Sequence, residues 1–506
     1  MHPLLAIIVV AAVCLYVVLQ LLLHLTQSKR EPPMLESKIP FVDSALGILK
    51  HRTGYLTKLR HKTGASIYTL RMPFQRLYVV HSPHLIQTIQ SKANVATFVP
   101  NLLDFGMLFS GLNKRSQAVL RESFADKGNA FTKSVHKYLL SGPSLVAVTT
   151  AAVDKLSASL PNSFASDGQR GLMEIVRHEL TLALTGAIYG PENPYDDPQV
   201  ETSWYDFVPG IIHLLYSPFP YLTARKAMQA RARVINAFRK YFETGGHLQA
   251  FPMIPEMYEA NIHCGLAPSE SAKMEMATSL AMLSSGANTS FWVLYHIFSN
   301  PTALRQIREE LLAVSNADGT TDHPIRRTVD LSLVKAQCPT LVAMLNETLR
   351  FHSSVINVKQ VQHDTTLGEY FLKKNGIIMI PGQSIHHDKE TWGSHADTFD
   401  HQRFLDPQSK RNLSSTSAFR PFGAGATMCP GRHFSTNVIL SLVAMVVSQY
   451  DFSPVEGQWK APTTRNADVW NAMPKPDWDL DVTINSRSDC EDVDWKFVWG
   501  RAVESK

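Results

Sequence analysis

The longest uninterrupted apolar run lies at the start of the chain. Pro3 to Leu23 contains Gln20 as its one strongly polar residue. A helix rises about 1.5 Å per residue, so about 20 such residues span the hydrocarbon core of a bilayer, and a transmembrane anchor is expected over residues 1–27. A cleaved signal peptide is the competing reading, but no Lys or Arg precedes the run and no A-x-A-like site closes it. Lys29 and Arg30 follow at once, which orients the body of the chain toward the cytosol. Glu31-Pro32-Pro33 and then Pro40 predict a stiff linker over 28–40, ahead of one large domain over 41–506.

Within that domain the patterning is mostly helical. Ile67–Leu70 and Leu77–Val80, joined across Met72-Pro73-Phe74, predict a β-hairpin, and Ile377–Ile380 a short buried strand. Ala224–Phe242 predicts a helix with Arg and Lys on one face. Between Phe207 and Leu222 apolar residues mix with Pro209, Pro218 and Pro220, as in a mobile loop: membrane-dipping, substrate-admitting or simply packed. Met276–Ser299 carries no charged residue and is long enough for a second span. Ser284, Ser285, Gly286, Asn288, Thr289 and Ser290 crowd its centre, however, so a helix buried in protein with a polar notch is expected. From His433 to Tyr450 there is again no charge, which predicts a buried helix over Arg432–Tyr450. The expected class is mainly α with small β-sheets.

Composition narrows the function. The 506 residues are 44% hydrophobic and 18% charged, which excludes a disordered or collagen-like chain. A net charge of +5 without a dense basic tract argues against nucleic acid as a partner. The five cysteines (Cys14, Cys264, Cys338, Cys429, Cys490) are odd in number and lack C-x-x-C spacing, so neither a disulfide framework nor a structural zinc site is expected.

Cys429 stands apart from the other four. It follows Phe419-Arg420-Pro421-Phe422-Gly423-Ala424-Gly425-Ala426-Thr427-Met428 and precedes Pro430-Gly431-Arg432. Gly423 and Gly425 permit tight backbone geometry, and Pro430 suits the first turn of the helix that follows. The sulfur would then face free N–H groups at a helix start, which favours thiolate. A thiolate there serves as a nucleophile or as a metal ligand, and no histidine in the sequence nominates itself as a nucleophile's base.

Phe422-x-x-Gly425-x-x-x-Cys429-x-Gly431 resembles the haem-ligand signature of the cytochromes P450, with Cys429 in the place of the axial thiolate. Other motifs follow in the family's order. Glu347-Thr348-Leu349-Arg350 is similar to E-x-x-R, and its i, i+3 spacing puts both charges on one helix face. Phe399-Asp400-His401-Gln402-Arg403-Phe404 is similar to F-x-P-x-R-F, with His401 for the usual Pro, and adds Arg403 to a structural network. The polar notch resembles the family's oxygen-binding groove: Thr289 stands at the proton-relay threonine, and Asn288 where most members carry an acid.

The resemblance implies a membrane P450 fold with haem b, electrons from NADPH through a separate reductase, cytochrome b5 as a further partner, and a single-pass location in the endoplasmic reticulum membrane with the catalytic domain cytosolic. Gly425–Arg432, Ala287-Asn288-Thr289 and Asn357-Val358-Lys359 resemble the cholesterol 7-alpha-hydroxylase and prostacyclin synthase branch and its fungal relatives. A bulky apolar substrate of steroid, terpenoid or polyketide type is implied. Thr289 favours monooxygenation over reductase-free isomerisation, and a non-catalytic haem protein is argued against by the complete groove and E-x-x-R. The propionate cations depart from the family pattern: Thr427 replaces a usual Arg or His, and Asn357 stands at an often basic position. That leaves Lys133, His136, Lys137 and Lys359 as candidates. Pocket candidates are Ser353 to Ile356, Leu283, Ala287 and the turn Trp470–Met473.

Overall fold

The structure, a computed structural model, describes residues 3–500 except 36–37, 53, 92–95, 98, 128–129, 165–168, 218, 318–324, 407–417, 426–427, 469–470 and 489–492. Thr427, Trp470 and Cys490 therefore lie outside the described residues. Helix α1 (Pro3–Thr26) projects from the body with almost none of its surface buried. Over Ile7–Thr26 its mean hydropathy is 2.6, and by length and composition it can cross a membrane.

The segment after α1, expected from its prolines to be a stiff linker, is held against the body of the protein at Glu31, Pro33 and Leu35. Glu31 is buried, accepts a hydrogen bond from the Tyr78 hydroxyl at 2.9 Å, and pairs with Arg76 at 3.3 Å and Lys373 at 3.0 Å. The same two cations also donate to the Thr26 carbonyl, at 2.7 and 2.9 Å, where a helix end carries partial negative charge. Thr69 exchanges backbone hydrogen bonds with Pro33 and Leu35, which docks the strap on the sheet.

That sheet has five strands: β1 (Ile67–Met72), β2 (Gln75–Val80), β3 (Ala96–Thr97), β4 (Ile356–Val361) and β5 (Ile377–Pro381). Their order is β1-β2-β5-β4-β3. The hairpin closes with Met72 opposite Gln75, which leaves Pro73-Phe74 as the turn, and Phe74 adopts a φ of 61°. In the antiparallel β5–β4 pair, Ile380 faces Asn357 and Ile378 faces Lys359.

The main core is helical. It joins α2 (Pro143–Phe164), α3 (Leu172–Tyr189), α4 (Arg225–Glu243), α5 (Pro268–Leu283), α6 (Gly286–Phe298), α7 (Pro339–His352) and α8 (Arg432–Gln449). Helix α8 is buried without a break from Asn437 to Ser448, as its uncharged sequence requires. The uncharged stretch 276–299 is two helices rather than one, with every α6 residue but His296 buried among protein. The region 207–222 is also more regular than a loop. Phe207 ends the helix Pro198–Phe207, and short helices follow at Ile211–Tyr216 and Pro220–Thr223. Pro220 opens a helix, where its missing N–H costs nothing. Phe219, Tyr221 and Leu222 stay exposed at the tip.

Candidate active site

The polar notch is the point where the long helix breaks. α5 ends at Leu283, Ser284 caps it with helical angles still, Ser285 leaves the helical path at φ −122°, and α6 begins at Gly286. The side chains after the break close it. Thr289 is buried, and its hydroxyl donates to the Ser285 carbonyl at 2.8 Å. The amide of Asn288 donates to the Ser284 carbonyl at 3.2 Å and to the Met473 carbonyl at 2.8 Å. One turn on, the Trp292 indole donates to Pro474 at 2.9 Å. The pair at i, i+4 thus ties the groove to the 471–474 turn. Ser354 adds two bonds to the same turn, its N–H to Ala472 and its hydroxyl to Asn471, both at 2.9 Å.

The cysteine loop is coiled by its own backbone. Gly423 and Gly425 adopt φ of 79° and 65°, a region that side chains disfavour. Gly423 N–H donates to Arg420, Met428 to Gly425, and Cys429 back to the Phe422 carbonyl at 2.9 Å. Phe422 itself lies against the main core. Gly431 caps α8, so Pro430 sits ahead of the cap and not in the first turn as its sequence suggests. The N–H groups of Gly431 and Arg432 reach the Cys429 sulfur as expected of a helix start, but the expected net effect is reversed. Enclosure by the loop pushes the Cys429 thiol above the usual cysteine range, and the two N–H groups and the Arg432 charge oppose it only in part. The residue nevertheless keeps an exposed surface. With the Arg432 charge alone beside it, this sulfur favours its proton; a coordinated metal ion reverses that preference.

Glu347 and Arg350 are both 0% exposed and form a bidentate pair, Nε to Oε2 at 2.8 Å and Nη2 to Oε1 at 2.7 Å. Arg403 stands 3.5 Å from the same carboxylate. Arg350 also donates to the carbonyls of His386 (2.7 Å), Ala396 (2.8 Å) and Thr398 (3.2 Å). His386 passes the link on, since its ring Nε2 accepts the Arg420 backbone N–H at 3.0 Å. A rigid chain thus runs from the ion pair to the start of the cysteine loop.

The sequence candidates for cations fare differently. Lys137, on the helix Ala130–Leu139, is engaged by Glu256, beside Tyr138. Lys359 is buried, and burial together with the Arg420 charge lowers its pKa. Arg420, not singled out by sequence, is 2% exposed, and burial lowers its pKa to about 10. Its signal was available: one cation inside an otherwise uncharged Gly- and Pro-rich loop. A hollow of about 360 Å³ behind α6, lined by Trp292, His296, His352 and Thr463 among others, includes neither Cys429 nor Thr289 in its wall.

The family profile described as Cytochrome P450 matches residues 279–478. The chain is 32% identical to the cytochrome P450 monooxygenase nodJ of Hypoxylon pulicicidum, in an alignment covering 92% of each chain. It is 25% identical to a cytochrome P450 monooxygenase of Gibberella zeae, over 94% of this chain and 92% of that one. A cholesterol 7-alpha-monooxygenase of Cricetulus griseus is 29% identical over 38% of this chain and 40% of its own. With a buried E-x-x-R pair, a cysteine loop capping α8 and end-to-end similarity to a named monooxygenase, the chain belongs to the cytochrome P450 family and is a monooxygenase.

Proposed function

We propose that residues 41–506 form the haem domain, that Cys429 is the axial ligand, and that the enzyme oxidises a bulky apolar small molecule with dioxygen. The observation that carries this reading is the Cys429 sulfur, held at the start of α8 under two backbone N–H groups. The residues around it suit haem. Apart from its two chain neighbours, no atom of the described residues lies within 4 Å of where a side chain on Gly431 would begin, which leaves room for the edge of a flat ring. Buried cationic donors stand at the head of the same loop. When bound, haem supplies the redox chemistry that activates dioxygen.

The chain's own residues would do the rest. Thr289 offers a hydroxyl, and its bond to Ser285 can be exchanged for a water, so proton movement is assigned to its oxygen. Asn288 has two carbonyls as partners for its amide hydrogens and cannot release a proton, so it positions the groove and the 471–474 turn. Phe422, Gly425 and Gly431 shape the loop, and Glu347, Arg350 and Arg403 fix its far end. Leu283 and Ala287 supply apolar surface near the groove. The name of the cholesterol 7-alpha-monooxygenase relative supports the steroid member of the steroid, terpenoid or polyketide range assigned to the substrate. α1 would anchor the protein in the endoplasmic reticulum with its catalytic domain in the cytosol, receiving NADPH electrons from a reductase and from cytochrome b5.

Two measurements test this. The reduced carbon monoxide complex should show the thiolate-type band, and Cys429→Ala should abolish it; retention of the band removes Cys429 as the ligand. Turnover with reductase against steroids, terpenoids and polyketides should add one oxygen to a product, whereas reductase-free rearrangement would mark an isomerase. In the same assay Thr289→Ala should uncouple NADPH use from product, and full coupling would assign proton delivery elsewhere.

A further inference from the structure

Arg420 is buried with two of its donor nitrogens unspent. Nη2 donates to the Asn357 Oδ1 at 2.7 Å, while Nε and Nη1 have no acceptor. Lys359, two residues along β4 from Asn357, is 8% exposed, and no ion pair reaches it among the described residues. His386, wholly buried, accepts the Arg420 N–H at Nε2, which leaves its Nδ1 as a further unpartnered donor. The cluster thus holds two cations and several free donors, and no carboxylate from the described residues enters it. Buried charge is retained only where a counter-charge or hydrogen bonds compensate it, so the cluster calls for an anion with several acceptor oxygens.

Resting on the haem reading above, we infer that Arg420, with Lys359 and Asn357, holds the haem carboxylates, and that the cation usually carried at the Asn357 position has moved to the cysteine loop. Two hydrogen-bonded turns connect the sites: Gly423 N–H to the Arg420 carbonyl, and Cys429 N–H to the Phe422 carbonyl. The exchange explains both departures together. A basic side chain at 357 would repel Arg420, whereas asparagine accepts its hydrogen bond and orients the fork. A guanidinium is suited to the task because its planar donors match carboxylate oxygens in pairs.

The test is the rate at which ferric holoenzyme surrenders haem to apomyoglobin. Charge-assisted hydrogen bonds of this kind correspond to about 10- to 100-fold in rate, so Arg420→Leu should release haem faster by that factor. The relocated cation, Arg420→Leu with Asn357→Arg, should return most of the loss, including the case in which Arg420→Leu alone fails to assemble. Haem dimethyl ester, whose carboxylates are capped, should leave wild type faster than haem, and this difference should shrink in Arg420→Leu, where Lys359 and Asn357 remain. Lys137→Ala should release haem at the wild-type rate. Unchanged release from Arg420→Leu, no recovery in the double variant, or equal release of haem and its ester from wild type would each overturn the inference. The carbon monoxide band distinguishes the two readings: its presence in wild type keeps the haem assignment standing even if Arg420 proves silent, and its absence removes both.

Discussion

Glu347 and Arg350 are as deeply buried as any charges in the molecule, and each meets its opposite within 2.8 Å. Arg420 and Lys359 are nearly as deep, and among the described residues neither meets an acid. His386 touches both groups, through its carbonyl to Arg350 and its ring to Arg420. The first cluster is complete within the chain and serves as scaffold. The second is complete only with something the chain does not supply. Burial alone does not separate a structural charge from a functional one; the lack of an opposing charge, together with unspent donors, does.

The comparison can be broken at its stronger side. Glu347→Gln leaves Arg350 as an uncompensated buried cation, with an expected loss of about 3–5 kcal/mol. Thermal unfolding of the variant should show this, together with poor accumulation of holoenzyme. A loss below about 1 kcal/mol, the range of exposed pairs, would place Glu347 among ordinary ion pairs. Arg420→Leu should instead act mainly on haem release.

A smaller effect sharpens the same contrast from the acid side. Glu275, buried on α5, has the Tyr189 hydroxyl donating at 2.9 Å and no cation among its hydrogen-bond partners. Burial raises its carboxyl from 4.5 to about 7. The native state therefore holds this proton more tightly than the unfolded chain does. Its contribution is full below about pH 4.5 and is lost as pH rises through about 7. The expected slope is at most about 1.4 kcal/mol per pH unit, and Glu275→Gln should flatten it in melts taken between pH 5 and 8. A slope unchanged by the substitution would assign the pH dependence to another group.

Much of the fold was legible because it depends on local pattern. The uncharged run after Arg432 had to be a buried helix, the hairpin announced itself at Met72-Pro73-Phe74, and the serine-rich notch marked a polar site inside buried helix, though not that two helices meet there. Partnerships across long stretches of chain were not legible. Glu31 looked like a linker residue because Arg76 and Lys373 lie far along the sequence. Lys137 looked available because Glu256 was not in view. Arg420 stands out in sequence only as a lone cation in its loop, and the lack of an acid around it is a property of the fold.

The sequence by itself determined the family, the order of its motifs and the cysteine offered as ligand, since these rest on residue type and spacing along one chain. Tertiary structure alone decided which cations are spent and which are not. Ion pairing depends on distance and burial, and the chain brings Asn357, Lys359, His386 and Arg420 together only by folding β4, β5 and the cysteine loop against one another.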